Sequence, residues 1–311
     1  MISLRQHAIS IAAIFFALAL GIVLGSQTIA SDLLSGLRDD RTDLQGQVDE
    51  LTAENARLQL QAGASDGFES AVAGRVLANS LADRTVVLFT TPDTDPADVA
   101  AVTHTIEAAG GSVTGNVGLT DAFIDVASGD RLRTTIANVI PAGVQLRTGA
   151  VDQGSLAGDL LGSVLLLDAA NAQPQSSPQD TALALETLRG GGFVTYGDIR
   201  PAQLALVLTG GNSGSDGNRG SIVSRFAAAL DGRGAGTVLA GPPPSAEGSG
   251  PVAVARADAA LSGTASTIDN VDRESGRITV ALALQEQLNG GVGRYGTGPN
   301  STAVTVGAVP S

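Results

Sequence analysis

The chain has 311 residues, a formal net charge of −13 and 43% apolar residues, enough for one substantial core. This acidic balance disfavours a nucleic-acid partner, because phosphate backbones are bound by basic surfaces. Cysteine is absent, methionine occurs once, and histidine occurs twice, at His7 and His104. The composition therefore excludes disulfides, thiolate catalysis and zinc-finger sites, and it offers few of the soft ligands that copper(I) prefers.

The first element is an apolar segment at residues 8–26, preceded by Arg5. Its length is at the short end of a membrane-spanning helix, which needs about 17–25 residues. Because Arg5 and the amino terminus lie before it and acidic residues lie just after it, the positive-inside rule predicts residues 1–7 in the cytoplasm and the rest of the chain outside. We expect an uncleaved single-pass anchor in the cell membrane. The alternative is a cleaved signal peptide, with Thr28-Ile29-Ala30 as a weak cleavage site.

Small residues recur every four positions along this segment. A stripe of this kind lets two membrane helices approach closely, which predicts dimerisation within the membrane. The alternative is that alanine and glycine are simply frequent in this chain. The stripe consists of Ala13, Ala17, Gly21 and Gly25.

A heptad pattern follows at residues 31–62 and predicts a coiled coil. Leucines recur every seven residues, and the alternate core positions include Arg41 and a polar residue that favours a defined dimer register. The alternative is one amphipathic helix that packs on its own domain. The predicted interface consists of Leu34, Leu37, Leu44, Val48, Leu51, Asn55 and Leu58.

The rest of the chain alternates between strand and helix patterns. Residues 63–72 are predicted as a hinge, residues 73–295 as an α/β domain with a Rossmann-like parallel sheet, and residues 296–311 as a flexible tail. Asp95 is a predicted N-cap, with proline at the first helical position. Strands are predicted at 84–90, 112–117, 163–169, 205–210 and 236–241, a last short strand ends at Ile268, and helices are predicted at 96–109, 180–189 and 220–231.

No catalytic set is apparent, and we predict that the chain is not an enzyme. His104, the only histidine outside the predicted cytoplasmic end, lies on the polar side of its helix and is expected to face solvent. The glycine-rich loop 209–221 lacks the Gly-Lys-Ser/Thr ending of a phosphate-binding loop. It is either a mobile insertion or a weak anion cradle built on Arg219.

Two carboxylates near the C-terminal end, Asp269 and Asp272, are weak candidates for a metal site. Two carboxylates and one asparagine make an incomplete oxygen shell for Ca²⁺ or Mg²⁺. The competing interpretation is structural: Asp272 caps the next helix, and both charges complement its dipole.

The N-terminal sequence "MISLRQHAISIAAIFFALALGIVLGS", the heptads, and the segment "STIDNVDRESGRITVALALQEQLNGGVGRYG" together resemble the MctB/SteB family of actinobacterial envelope proteins. The copper-transporter side of this family implies a role in limiting intracellular copper, with channel activity in the outer membrane. The SteB side implies a membrane-anchored partner of a SteA-like protein in cell separation. Copper is implied only by this resemblance, and no cofactor is predicted from the residues.

Two hypotheses follow. The first is a dimeric, membrane-anchored scaffold in which the coiled coil pairs two chains and the α/β domain binds an envelope protein. The second is a copper-efflux or channel component. The predicted partners are a second copy of the chain, the membrane and an envelope protein, without nucleic acid.

Overall fold

The computed structural model describes residues 4–211 and 218–308, with the backbone alone for residues 4–5 and 26–40. The chain divides into two units between Ser65 and Asp66. The first unit is helical throughout its described residues and belongs to α1 (Leu4–Val76). The second unit contains helices α2 (Pro96–Ala108), α3 (Asp121–Ile124), α4 (Gly129–Ala137), α5 (Gln153–Leu165), α6 (Pro178–Gly190), α7 (Arg219–Asp231), α8 (Pro251–Ala257) and α9 (Glu274–Leu288). Its strands are β1 (Thr85–Thr90), β2 (Ser112–Leu119), β3 (Val194–Tyr196), β4 (Leu204–Leu208), β5 (Thr237–Ala240), β6 (Ser266–Ile268) and β7 (Arg294–Tyr295).

The seven strands form one sheet in the order β3-β2-β1-β4-β5-β6-β7. Every neighbouring pair is parallel except β2 and β3, which are antiparallel. The order reverses between β1 and β4, as in doubly wound nucleotide-binding folds. The predicted α/β class with a Rossmann-like sheet is therefore confirmed, with one antiparallel edge strand added.

Both faces of the sheet are covered, as a parallel sheet requires. On β1, Val87 and Phe89 point into a core formed with α4, α5, α6, α7 and α8, and Phe89 meets Phe226 edge to face at 5.2 Å. The alternate residues Val86 and Leu88 join a second core with α2, α9 and the end of α1. Burial on both sides explains why β1 and β4 are continuous apolar runs.

One predicted strand is wrong. The sequence pattern predicts a strand over residues 163–169, but α5 continues to Leu165, and only Leu166 and Leu167 make isolated bridges, to Ala202 and Pro174. Almost every residue of α5 is buried, so its apolar run has no polar face that would mark it as a helix.

Two segments predicted to be irregular or flexible are ordered. Residues 63–72, the predicted hinge, are helical as part of α1, although the division into two units falls within them. Residues 296–308 of the predicted flexible tail pack against the rest of the second unit. Ala303 is buried, and the backbone N–H of Gly296 donates to the Ala303 carbonyl. Residues 309–311 lie outside the described residues.

Candidate functional site

The apolar part of α1, Gln6–Gly25, is 20 residues long with a mean hydropathy of 2.6, and its side chains are exposed in the folded chain. It is long and apolar enough to cross a membrane. The predicted small-residue stripe lies along it, and a Cβ added at Gly21 or Gly25 would meet no neighbouring atom. The stripe is therefore open to a second helix, and membrane packing through Ala13, Ala17 and these glycines stays a prediction.

The next part of α1 carries an open row of apolar side chains, which we call the heptad row: Leu44, Val48, Leu51 and Leu58. Their exposed fractions are 61%, 54%, 69% and 51%. Asn55 is also exposed, and its Oδ1 accepts a 2.7 Å hydrogen bond from Gln59 Nε2. The side chains of Leu34 and Leu37 lie outside the described residues. The coiled coil itself stays a prediction, since one chain alone leaves this row uncovered.

Asp269 is held in a fully buried ion pair. Its Oδ2 accepts a 2.6 Å bond from Arg256 Nη1, and neither side chain is exposed. The backbone N–H groups of Thr297 and Gly298 donate to its two oxygens at 2.9 and 3.0 Å. The geometry thus assigns this carboxylate a structural role, tying the segment after β7 to the end of β6.

The guanidinium of Arg256 extends the hydrogen-bond network around Asp269. Its Nε donates to Thr267 Oγ1 at 3.0 Å, and its Nη2 donates to the Tyr295 carbonyl at 2.7 Å. Burial lowers the pKa of Arg256, while the hydrogen bond and charge of Asp269 oppose that change. Gly296 adopts φ +126°, and a Cβ there would collide with the Asp269 carboxylate. Arg256 and Gly296 were not singled out from the sequence, because their partners are distant along the chain.

Asp272 is exposed and does not cap α9, so that prediction is wrong. The helix begins at Glu274, and its N-cap position is Arg273, which makes no side-chain capping bond. Within the side chains that the structure describes, no group of three or more His, Cys, Asp or Glu residues is placed to hold a metal ion.

The point between β1 and β4, where ligands bind in many open α/β sheets, is tightly packed in its described part. Thr91 Oγ1 donates to Asp93 Oδ1 at 2.6 Å and accepts from the backbone N–H of Gly210 at 3.3 Å. A Cβ on Gly210 would collide with the Asp93 carbonyl. In the predicted anion loop, residues 212–217 lie outside the described residues. Arg219 pairs with Asp121 at 3.2 Å, so its charge already has a partner.

A second buried carboxylate, Asp159 on α5, was missed by the sequence analysis. It accepts from Arg147 Nε at 2.8 Å and from Arg233 Nε at 2.6 Å. Burial acts to raise the pKa of Asp159, but the hydrogen bonds from Arg233 and Arg147 together outweigh it and hold the pKa below its usual range. This cluster fixes the loop before α5 against the end of α7. No sequence motif marks it, because its three members are dispersed along the chain.

The family model described as "Copper transport outer membrane protein, MctB" matches residues 1–306. The curated protein "Copper transporter MctB" of Mycobacterium tuberculosis (strain ATCC 25618 / H37Rv) is 48% identical over 314 residues, covering 98% of this chain and 99% of that protein. The protein of the same name from Mycobacterium leprae (strain TN) is 47% identical over 315 residues, with the same coverage. The chain belongs to the MctB family. The resemblance inferred from the two ends of the sequence is confirmed.

The family description and the apolar part of α1 together point to membrane anchoring. Copper is named as the cargo of these relatives. In this MctB-family chain both histidines are exposed, His7 on α1 and His104 on α2, the latter as predicted. The described side chains thus give copper(I) no buried set of soft ligands.

Proposed function

We propose that this MctB-family chain serves copper transport in the cell envelope as a membrane-anchored scaffold that pairs through its long helix. Its relatives, matched over nearly their whole length, are named copper transporters. One observation carries the scaffold role: the apolar span and the heptad row lie on one uninterrupted helix within the first unit.

In the proposed topology, residues 1–7 are cytoplasmic, residues 8–26 cross the cell membrane once, and the α/β domain is extracytoplasmic. The charge distribution around the span supports this orientation. The family description names the outer membrane, which is the alternative location. A 20-residue helical segment with a mean hydropathy of 2.6 favours an α-helical anchor in either case.

Pairing is driven by burial of the heptad row. Complete burial of one leucine side chain contributes about 1.5–3 kcal/mol. The leucines of the heptad row are exposed by half or more, so their burial between two chains would contribute substantial free energy to pairing. Anchoring both chains in one membrane raises their effective concentration, which favours pairing even through a short coiled coil. Membrane anchoring also makes the two helices parallel, and a polar residue at an a position then sets the register, in this chain Asn55.

The proposed scaffold acts on copper indirectly, by holding another envelope protein in place. Its composition supports this, because soft copper(I) ligands are scarce in the chain. The names of the relatives point to copper and not to cell separation, so a SteA-like partner stays a prediction from the resemblance.

The test is complementation of a deletion strain, with cell copper measured at a fixed external copper concentration. We expect deletion to raise cell copper and the wild-type chain to restore it. The double variant Leu44→Ser/Leu51→Ser should fail to restore it, although it reaches the membrane at the wild-type level. The matched control is Leu60→Ser, since Leu60 is 77% exposed on the same helix but lies outside the heptad row.

Unchanged copper after deletion would overturn the copper role. Full restoration by Leu44→Ser/Leu51→Ser would overturn pairing through the heptad row while leaving the copper role intact.

A further inference from the structure

A groove of about 570 Å³ lies between α6 and the loop 197–201 that follows β3. We call it the α6 groove. Its volume falls in the range of protein ligand sites, about 300–1,000 Å³. The α6 side extends from Pro178 to Arg189, about 16 Å at the rise of a helix. The α6 groove lies within the second unit, far along the chain from the heptad row.

The floor of the groove is apolar and fixed by the core. Leu185 is a buried core residue, and Tyr196 and Ile199 are partly buried and pack against the same core. Ala182, one turn before Leu185, is exposed and opens the floor to solvent. Such a floor is preformed, so an apolar side chain could bind without a large rearrangement.

The rim carries four exposed charges of both signs: Glu186, Arg189, Asp198 and Arg200. The guanidinium of Arg189 lies 4.5 Å over the ring of Tyr196 in a cation–π contact. Among the ion pairs of the described residues, none includes any of these four side chains. In a chain of net charge −13, this rim is locally neutral and has two carboxylates and two guanidiniums available to a ligand.

We propose that the α6 groove binds a short extended peptide segment of a partner protein, with an apolar anchor side chain flanked by a basic and an acidic residue. Charge complementarity carries the choice of occupant, since a purely apolar ligand would leave the four rim charges unmatched. The length of the groove fits too: about 16 Å accommodates about five extended residues. The inference rests on the proposed function, because it supplies the surface by which the scaffold holds its partner.

The experiment is selection of a displayed library of random 12-residue peptides on the full-length chain in detergent, followed by measurement of Kd for enriched peptides. We expect enriched sequences to share one large apolar residue with basic and acidic neighbours. Ala182→Trp fills the groove and should weaken binding at least about tenfold, a loss typical of a blocked anchor pocket. Leu183→Trp is the control, since Leu183 is 56% exposed on the same helix but does not line the groove.

A second variant, Glu186→Arg, reverses one rim charge and leaves the floor unchanged. It should select peptides that have lost the basic neighbour, so the test does not depend on Ala182→Trp alone. Absence of any enriched peptide on the wild-type chain, or equal affinity for wild type and both groove variants, would overturn the proposal. The Leu44→Ser/Leu51→Ser chain should bind the peptides normally, so failure of peptide binding is distinguishable from failure of pairing.

Discussion

At the scale of single residues, the two candidate metal ligands have different environments. Asp269 accepts three hydrogen bonds from protein donors and is buried with Arg256, whereas Asp272 is exposed beside the start of α9. The buried pair stabilises the fold only while it is complete, because an unpaired charge in the interior is costly. The Arg256–Asp269 pair is therefore a buried structural contact at the β6–β7 end of the sheet.

Arg256→Leu should therefore destabilise the chain by about 3–5 kcal/mol, since it leaves the Asp269 carboxylate buried without its counter-ion. The double variant Arg256→Leu/Asp269→Asn should recover part of this loss. The control is Arg273→Ala, which breaks a partly exposed 2.9 Å pair with Asp66 and should cost no more than about 1 kcal/mol. Urea unfolding measures all three, and equal losses for Arg256→Leu and Arg273→Ala would contradict the assignment.

A pH dependence is expected from Asp231 at the end of α7. Burial raises its pKa to about 6, against the opposing hydrogen bond from the Thr237 N–H and the charge of Arg147. A folded-state pKa above the unfolded value means that the folded chain holds this proton more tightly. Stability is then lost as pH rises from about 4 to about 6, by up to about 3 kcal/mol.

Asp231→Asn keeps an acceptor for Thr237 and removes the buried charge. We expect this variant to be more stable than wild type at pH 8 and equal to it near pH 4. Thermal unfolding across this pH range measures the difference, and a gap that does not change with pH would refute burial of the Asp231 charge as the cause.

At the scale of elements, α5 and α7 cross closely because α5 presents glycine every four residues. Gly154, Gly158 and Gly162 have buried backbones against α7, and a Cβ on Gly158 would collide with the Phe226 carbonyl. Gly158→Ala should therefore cost about 1–3 kcal/mol by forcing the helices apart. Gly74→Ala is the control: a Cβ there meets no atom, so helix propensity should make it neutral or stabilising by up to about 1 kcal/mol. A stable Gly158→Ala chain in differential scanning calorimetry would contradict this packing.

The elements also show what the sequence can and cannot predict. The buried strands β1, β4 and β5 are predicted from their apolar runs, and Asp95 caps α2 as expected, accepting from the Ala97 N–H at 2.8 Å. The strand prediction over the end of α5 failed because a helix buried on all sides has no periodic polar face. The order of the tail after Tyr295 was missed because it depends on Arg256, 39 residues earlier.

At the scale of the whole molecule, the chain combines a helix that is long and apolar enough to cross a membrane with an α/β unit. The first unit offers an apolar span and the heptad row, and the second offers the α6 groove. Membership of the MctB family connects this architecture to copper transport. In the proposed scaffold, two chains pair along the heptad row.

Disulfide cross-linking in membranes is a direct test of this pairing, because the chain contains no cysteine of its own. A disulfide forms only when two Cα atoms come within about 7 Å, so a single introduced cysteine reports on close approach of two copies. With Leu51→Cys we predict a cross-linked dimer under mild oxidation, and with Leu60→Cys, on the outer side of the same helix, only monomer. Monomer alone with Leu51→Cys, or equal cross-linking at both positions, would contradict pairing through the heptad row.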